Sequence, residues 1–232
     1  MAAPDVNNDK ILIARTRARI YAMLAAAFDY PTPDFHVVLE SGAYADGLTD
    51  IIAALYPDLA DQMAGPAVTL CAATSLSDQQ SDYLRTFETG VPKPPVNLYE
   101  GLGVHPTERA SILLELKAFF KQFGLTMNKS VREFEDSVTA ELEFMQFLAM
   151  KEADALENGW DCRPYRHAQH DFLVRHLGSW LPKLAQSASE VQSSFYRSVA
   201  QIAAMFVERD ETAILRDLRS DAALAADLIL ST

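Results

Sequence analysis

The chain has 232 residues, enough for one large or two small hydrophobic cores, and 49% of them are hydrophobic, which excludes a disordered chain. Ala and Leu dominate while Gly numbers only 9, a balance that favours helices and argues against an all-β fold. The net charge of −12 disfavours nucleic acid as a partner, because phosphate recognition needs clustered Lys and Arg.

The predicted first helix runs from about Asn8 to Phe28, with Ile13, Ile20 and Leu24 beside Ala14, Ala18, Tyr21 and Phe28. Its start imitates a leader peptide, since Arg15, Arg17 and Arg19 precede an apolar run. Asp5 and Asp9 upstream, and Asp29-Tyr30-Pro31 in place of a cleavage pattern, predict that it is an ordinary helix. Thr32-Pro33 reads as a cap followed by Pro at the first helical position, with Gly42 as the stop. A helix is predicted over Thr49 to Met63, ending before Gly65-Pro66, and another from Ser77 to Thr89, stopped by Gly90. The loop Gly90 to Gly101 contains Pro92, Pro94 and Pro95, which forbid a regular helix. The next helix is placed from Pro106 to Gly124.

Gly124 to Lys129 is the predicted hinge between an N-terminal part, 1–124, and a C-terminal part, 130–232. Ser130 and Glu133 match a capping box that would open a long helix to about Glu157. Asp136, Glu143 and Phe147 would then share one stripe, with Glu135 and Glu141 on neighbouring faces. After a loop from Asn158 to Pro164, a helix from Tyr165 to Leu181 is predicted to end or kink at Pro182. Its apolar face is Leu173, Leu177, Trp180 and Leu184. Ser187 and Glu190 match a second capping box, opening a helix with Val191, Phe195, Ile202 and Phe206 on one side, and two short helices finish the chain. The expected fold is all-α, a bundle of roughly eight to ten helices in two parts.

No phosphate-binding glycine loop and no nucleophile elbow occurs. No His has a Glu three residues before it, which removes a di-iron bundle. Cys162, His167, His170 and His176 could ligate a metal in a hydrolase, but they lack paired short spacings, and His176 falls on the far side of the helix from His167. No bound metal is therefore expected. The two cysteines, Cys71 and Cys162, make no disulfide framework and fit a reducing cytoplasm. No apolar run reaches the roughly 20 residues of a membrane span. Between Tyr21 and Leu84 there is no Lys or Arg but there are nine acids, a surface suited to a basic partner.

Four segments in order resemble one family. Arg19 to Pro31, with Tyr21, Leu24, Phe28 and Tyr30-Pro31, is similar to the family's opening. Tyr83, Leu84 and Phe87, followed by Pro92, Pro94, Pro95 and Tyr99-Glu100, resemble its proline loop. Asp136-Ser137 with Glu141-Leu142 and Phe144-Met145 resembles its D-H-x-x-x-E-L-x-F-M helix, with Ser137 where the family has His. Phe172-Leu173, His176-Leu177, Trp180 and Pro182 resemble its F-L-x-x-H-L-x-x-W-x-P motif. The family is the TorD/DmsD/NarJ group of molybdoenzyme maturation chaperones, and the Pro-Pro-x-x-x-Tyr-Glu-Gly form is closest to those serving dimethylsulfide, ethylbenzene, selenate and chlorate enzymes.

The resemblance, which spans about Arg19 to Phe206, implies an all-α chaperone without catalysis or cofactor. Its partner would be the apo catalytic subunit of a molybdenum oxidoreductase of the DMSO-reductase class, often bound at a twin-arginine signal peptide. The client would be held in the cytoplasm until the molybdenum cofactor is inserted, and domain-swapped dimers occur in the group. The candidate client-binding residues are Asp136, Ser137, Glu141, Tyr83, Phe87, Pro94, Pro95, Tyr99, His176 and Trp180, with Glu143 added from its helical spacing. A metal-dependent enzyme using Cys162, His167 and His170, or a helical adaptor without a redox client, are the competing readings.

Overall fold

A computed structural model describes residues 6–70, 75–103, 107–126 and 134–230. Among the described residues there are eleven α-helices and no strand, as expected for an all-α bundle. α1 (Val6–Phe28) lies along α8 (Val138–Glu157), the largest helix pairing in the molecule. Small buried residues, Ala14, Ala18 and Ala25 on α1 and Ala149 and Ala153 on α8, suit such a close approach. α9 (Arg163–Arg175), α10 (Leu177–Ala188) and α11 (Ser194–Leu230) complete the packing around this pair. One continuous apolar core joins Ile20, Leu24 and Phe28 to Leu142, Phe172, Leu177 and Phe206. Residues from both sides of the expected hinge therefore share that core. The hinge itself starts at Gly124, in the left-handed region at φ 75°, and its residues 127–129 lie outside the described ones.

Local chemistry sets the N-terminal elements. Thr32 caps α2 (Pro33–Glu40), its hydroxyl accepting from the Phe35 N–H at 3.2 Å, and Pro33 occupies the first turn. Gly42, at φ 78°, separates α2 from α3 (Ala43–Leu55). The helix predicted over Thr49 to Met63 is interrupted. Pro57 drives Tyr56 out of helical geometry, to φ −131° and ψ 79°, and a 3₁₀ turn (Pro57–Leu59) leads into α4 (Ala60–Val68). α4 continues past Gly65 and carries Pro66 inside its last turn. Ser75 caps α5 (Leu76–Tyr83), which runs on as a π-helical turn, Leu84–Glu88.

The C-terminal half departs from expectation at three helix ends. α8 is capped by Ser137, whose hydroxyl accepts from the Ala140 N–H at 3.1 Å; Ser130 and Glu133 lie outside the described residues. The helix predicted to reach Leu181 breaks earlier, at His176 with φ −125° and ψ −104°. Gly178 sits so near the Leu173 carbonyl that a Cβ there would clash, which permits a tight corner. Pro182 is accommodated within α10. The Ser187–Glu190 box does not form: Ser187 lies inside α10 and donates to the Lys183 carbonyl at 3.0 Å. Finally, a single 37-residue helix, α11, replaces the three shorter helices expected at the end.

Candidate functional site: a polar network under the proline loop

The segment between the π-helical turn and α6 (Glu100–Gly103) is irregular, as its prolines require, but it is firmly attached. Val96 and Leu98 are buried, and the Val96 N–H donates to the Thr86 carbonyl at 3.1 Å. Tyr99 and Ser137 form an isolated antiparallel bridge. Around it the Val138 N–H donates to the Leu98 carbonyl and the Glu100 N–H to the Asp136 carbonyl, both at 2.8 Å. The loop is thus stitched to the entrance of α8.

Asp136 precedes α8, so it is not on a helical stripe with Glu143 and Phe147 as the sequence suggested; the cap at Ser137 rather than Ser130 is the reason. Its side chain is fully buried and accepts from Arg109 twice, from Nε at 2.8 Å and from Nη2 at 3.2 Å. Arg109, at the start of α7 (Arg109–Gln122), has its guanidinium over Phe134 at 4.8 Å and near Tyr99 at 5.6 Å. Gly101 makes room for this pair, because a Cβ there would meet Arg109 side-chain carbons.

Beneath lies a second layer. Glu141 is fully buried, and the Trp180 indole N–H donates to its Oε2 at 3.0 Å. Burial pushes the Glu141 carboxyl well above its ordinary range, and the nearby Glu100 and Asp136 charges push it further. A neutral Glu141 can donate its proton toward Glu100, which removes the repulsion between two buried carboxylates. Glu100 also meets His176, whose Nδ1 is 3.0 Å from Oε2. The other His176 nitrogen faces Glu115 at 3.4 Å, and Arg175 pairs with Glu115 from outside. Phe119 and Phe172 close over the imidazole.

The signature residues therefore contact one another more than they face solvent. Asp136, Ser137, Glu141, His176 and Trp180 are all buried and join α6, α7, α8 and α10 to the loop. Tyr83 and Phe87 stand elsewhere, in an aromatic cluster with Phe28, Tyr30 and Tyr196. Glu143 is on the exposed face of α8, and Tyr99 is half-buried. Pro94, Pro95 and Trp180 line a common small cleft, of about 60 Å³. Cys162 is half-buried, and no group of three His, Cys, Asp or Glu among the described residues is placed to hold a metal ion.

Sequence reasoning missed a second buried network. Arg17 on α1 donates to Asp210 on α11 through Nε at 2.6 Å and Nη2 at 2.9 Å. It also reaches Glu152 and Gln169, while Tyr21 and Tyr56 donate to the same Asp210 at 2.7 and 2.6 Å. Burial opposes the Arg17 charge, but Asp210 and Glu152 together outweigh it and hold the guanidinium well above its ordinary value. The available signal was positional: Arg17 lies one turn before Tyr21 on the apolar face of α1.

Comparison with known proteins bears directly on this region. The profile of the family described as "Nitrate reductase delta subunit" matches residues 45–186, a span from α3 to α10 that contains the whole loop network. The chain belongs to this TorD/NarJ-like family. A perchlorate reductase assembly chaperone protein of Dechloromonas aromatica is 34% identical over 92% of this chain and 98% of its own length. A chlorate reductase assembly chaperone protein of Ideonella dechloratans and a selenate reductase assembly chaperone protein of Thauera selenatis are each 37% identical over 50% of this chain and 60% of theirs. A putative redox enzyme maturation protein of Archaeoglobus fulgidus shares the fold, with a TM-score of 0.50 at 17% identity over 83% of this chain and 93% of that one. Among the described residues the chain is all-α, and no described helix is long and apolar enough to cross a membrane.

Proposed function

We propose that this protein is an assembly chaperone that binds the apo catalytic subunit of a molybdenum oxidoreductase and holds it in the cytoplasm for cofactor insertion. The observation that carries the reading is the near full-length similarity to the perchlorate reductase assembly chaperone. The client's twin-arginine segment is the proposed basic ligand. Supporting this, the region from Tyr21 to Leu84 has nine acids and no Lys or Arg, and Asp34, Glu40, Asp46, Asp50, Asp61 and Asp78 are exposed.

Within this reading the signature residues divide by burial. Asp136, Ser137, Glu141, His176 and Trp180 position the proline loop, and Pro94, Pro95, Tyr99 and Glu143 offer accessible surface to the client. Tyr83 and Phe87 support the loop's first anchor from the core. The test is to produce the molybdoenzyme catalytic subunit of the same organism with and without this chain. Molybdenum content per subunit should fall several-fold without it, and the cofactor-free subunit should co-elute with the chain on size exclusion. Full loading in its absence, or no complex with the apo subunit, would overturn the proposal.

A further inference from the structure

Two clefts meet at Pro95. One, of about 60 Å³, lies between the proline loop and α10 and is lined by Lys93, Pro94, Leu184 and Lys183. The other, of about 390 Å³, lies between the π-helical turn and the α10–α11 connection and is lined by Asp82, Arg85, Glu190 and Val191. Pro95 lines both and is exposed, so it forms the ridge between them.

The two ends differ in charge. Lys93 and Lys183 come from distant parts of a chain with net charge −12, and among the described residues neither forms an ion pair. At the other end Arg85 holds Asp82 at 2.5 Å, while Glu190 is exposed and has no ion pair among the described residues. The walls between carry the apolar side chains of Pro94, Pro95, Leu184 and Val191 among polar ones such as Asn97, Ser187 and Thr89.

We propose that these clefts are one groove that seats an extended segment of the apo client, with an acidic side chain at the lysine end and a basic one at the Glu190 end. The inference rests on the assembly-chaperone reading and adds polarity to it. Lys183 lies near the end of α10 and Glu190 in the turn that follows it, so the two charges come from one continuous stretch of chain. The occupant carries its acid at one end and its base at the other, with apolar side chains between them resting on the proline ridge. Prolines fixed before binding lose little freedom on contact, which suits this ridge to a disordered segment.

The test measures affinity for the cofactor-free catalytic subunit by titration calorimetry at low salt. Lys93→Glu with Lys183→Glu should weaken binding about tenfold, and Glu190→Lys should weaken it by a similar factor. Both losses should shrink toward about twofold near 0.5 M NaCl, since exposed charges are screened. Lys121→Glu, a change of the same sign on exposed α7 surface, should stay within about twofold. Circular dichroism on each variant separates lost binding from lost folding. Wild-type binding with the lysine variant within about twofold would overturn the groove and leave the chaperone reading standing. Tighter binding by Glu190→Lys would mean a uniformly acidic occupant and would also overturn it. No binding by the wild-type chain would instead overturn the chaperone reading.

Discussion

Glu141 shows how a signature residue can be indispensable without being accessible. Its carboxyl is fully buried beside Glu100 and bonded to the Trp180 indole, so the fold favours its neutral form. A group whose folded value is raised above its ordinary 4.5 contributes stability that is complete below that pH and is lost as pH rises through the folded value. Glu141→Gln keeps an acceptor for Trp180 and a donor for Glu100 but cannot ionise. Its stability relative to wild type should therefore grow as pH rises above 4.5, by up to about 1.4 kcal/mol per pH unit. Urea unfolding of both proteins from pH 4.5 to 8 measures this. Parallel curves would mean that Glu141 ionises in the fold as readily as in solution. Nothing in the sequence announced this burial, because an acid at a helix start reads equally well as a solvated one. Its partners Glu100 and Trp180 are 41 and 39 positions away, beyond the reach of helical periodicity.

At the scale of elements, the proline loop is held at both ends and stiff in between. Thr86 and Asp136 carbonyls take its backbone donors, and the Tyr99–Ser137 bridge ties it to α8. Replacing Pro94 and Pro95 by Gly should leave these anchors and the helix content intact. It should weaken binding of the apo subunit by about 0.4–1 kcal/mol per residue, the entropy that proline withholds from a flexible chain. Affinity within a factor of two of wild type, with unchanged circular dichroism, would show that the loop is only a connector. Elements of this kind were legible wherever one residue dictates the backbone. Thr32-Pro33, Gly42 and the prolines of the loop acted where expected. The misread ends have a different cause. Pro57 breaks the helix predicted over Thr49 to Met63, whereas Pro182 fits within α10. The break at His176 is tertiary, since its ring is committed to Glu100 and Gly178 allows the chain to turn. Two further serines with a Glu three positions on matched capping boxes. One lies outside the described residues, and the other is inside a helix whose packing continues past it.

For the whole molecule, the decisive interaction is the one at Asp210. Four hydrogen bonds from three side chains, Arg17, Tyr21 and Tyr56, converge on its carboxylate, which has no exposure to solvent. Asp210→Ala leaves a buried guanidinium without its main partner, a change that typically costs about 3–5 kcal/mol. The melting temperature should fall by roughly 10 °C for a domain of this size. Thermal denaturation followed by circular dichroism would reveal it, and a fall under about 2 °C would mean that Glu152 and Gln169 suffice for Arg17. The same clasp sets an order of events during synthesis. Arg17 and Asp210 are separated by 193 positions, so the first helix leaves the ribosome long before its main counter-charge exists. Until α11 emerges, Arg17 has only Glu152 and Gln169 to take the place of water on the buried face of α1. The buried network can be completed only after α11 has been made. A protein proposed to shelter an unfinished enzyme is itself unfinished until that helix arrives.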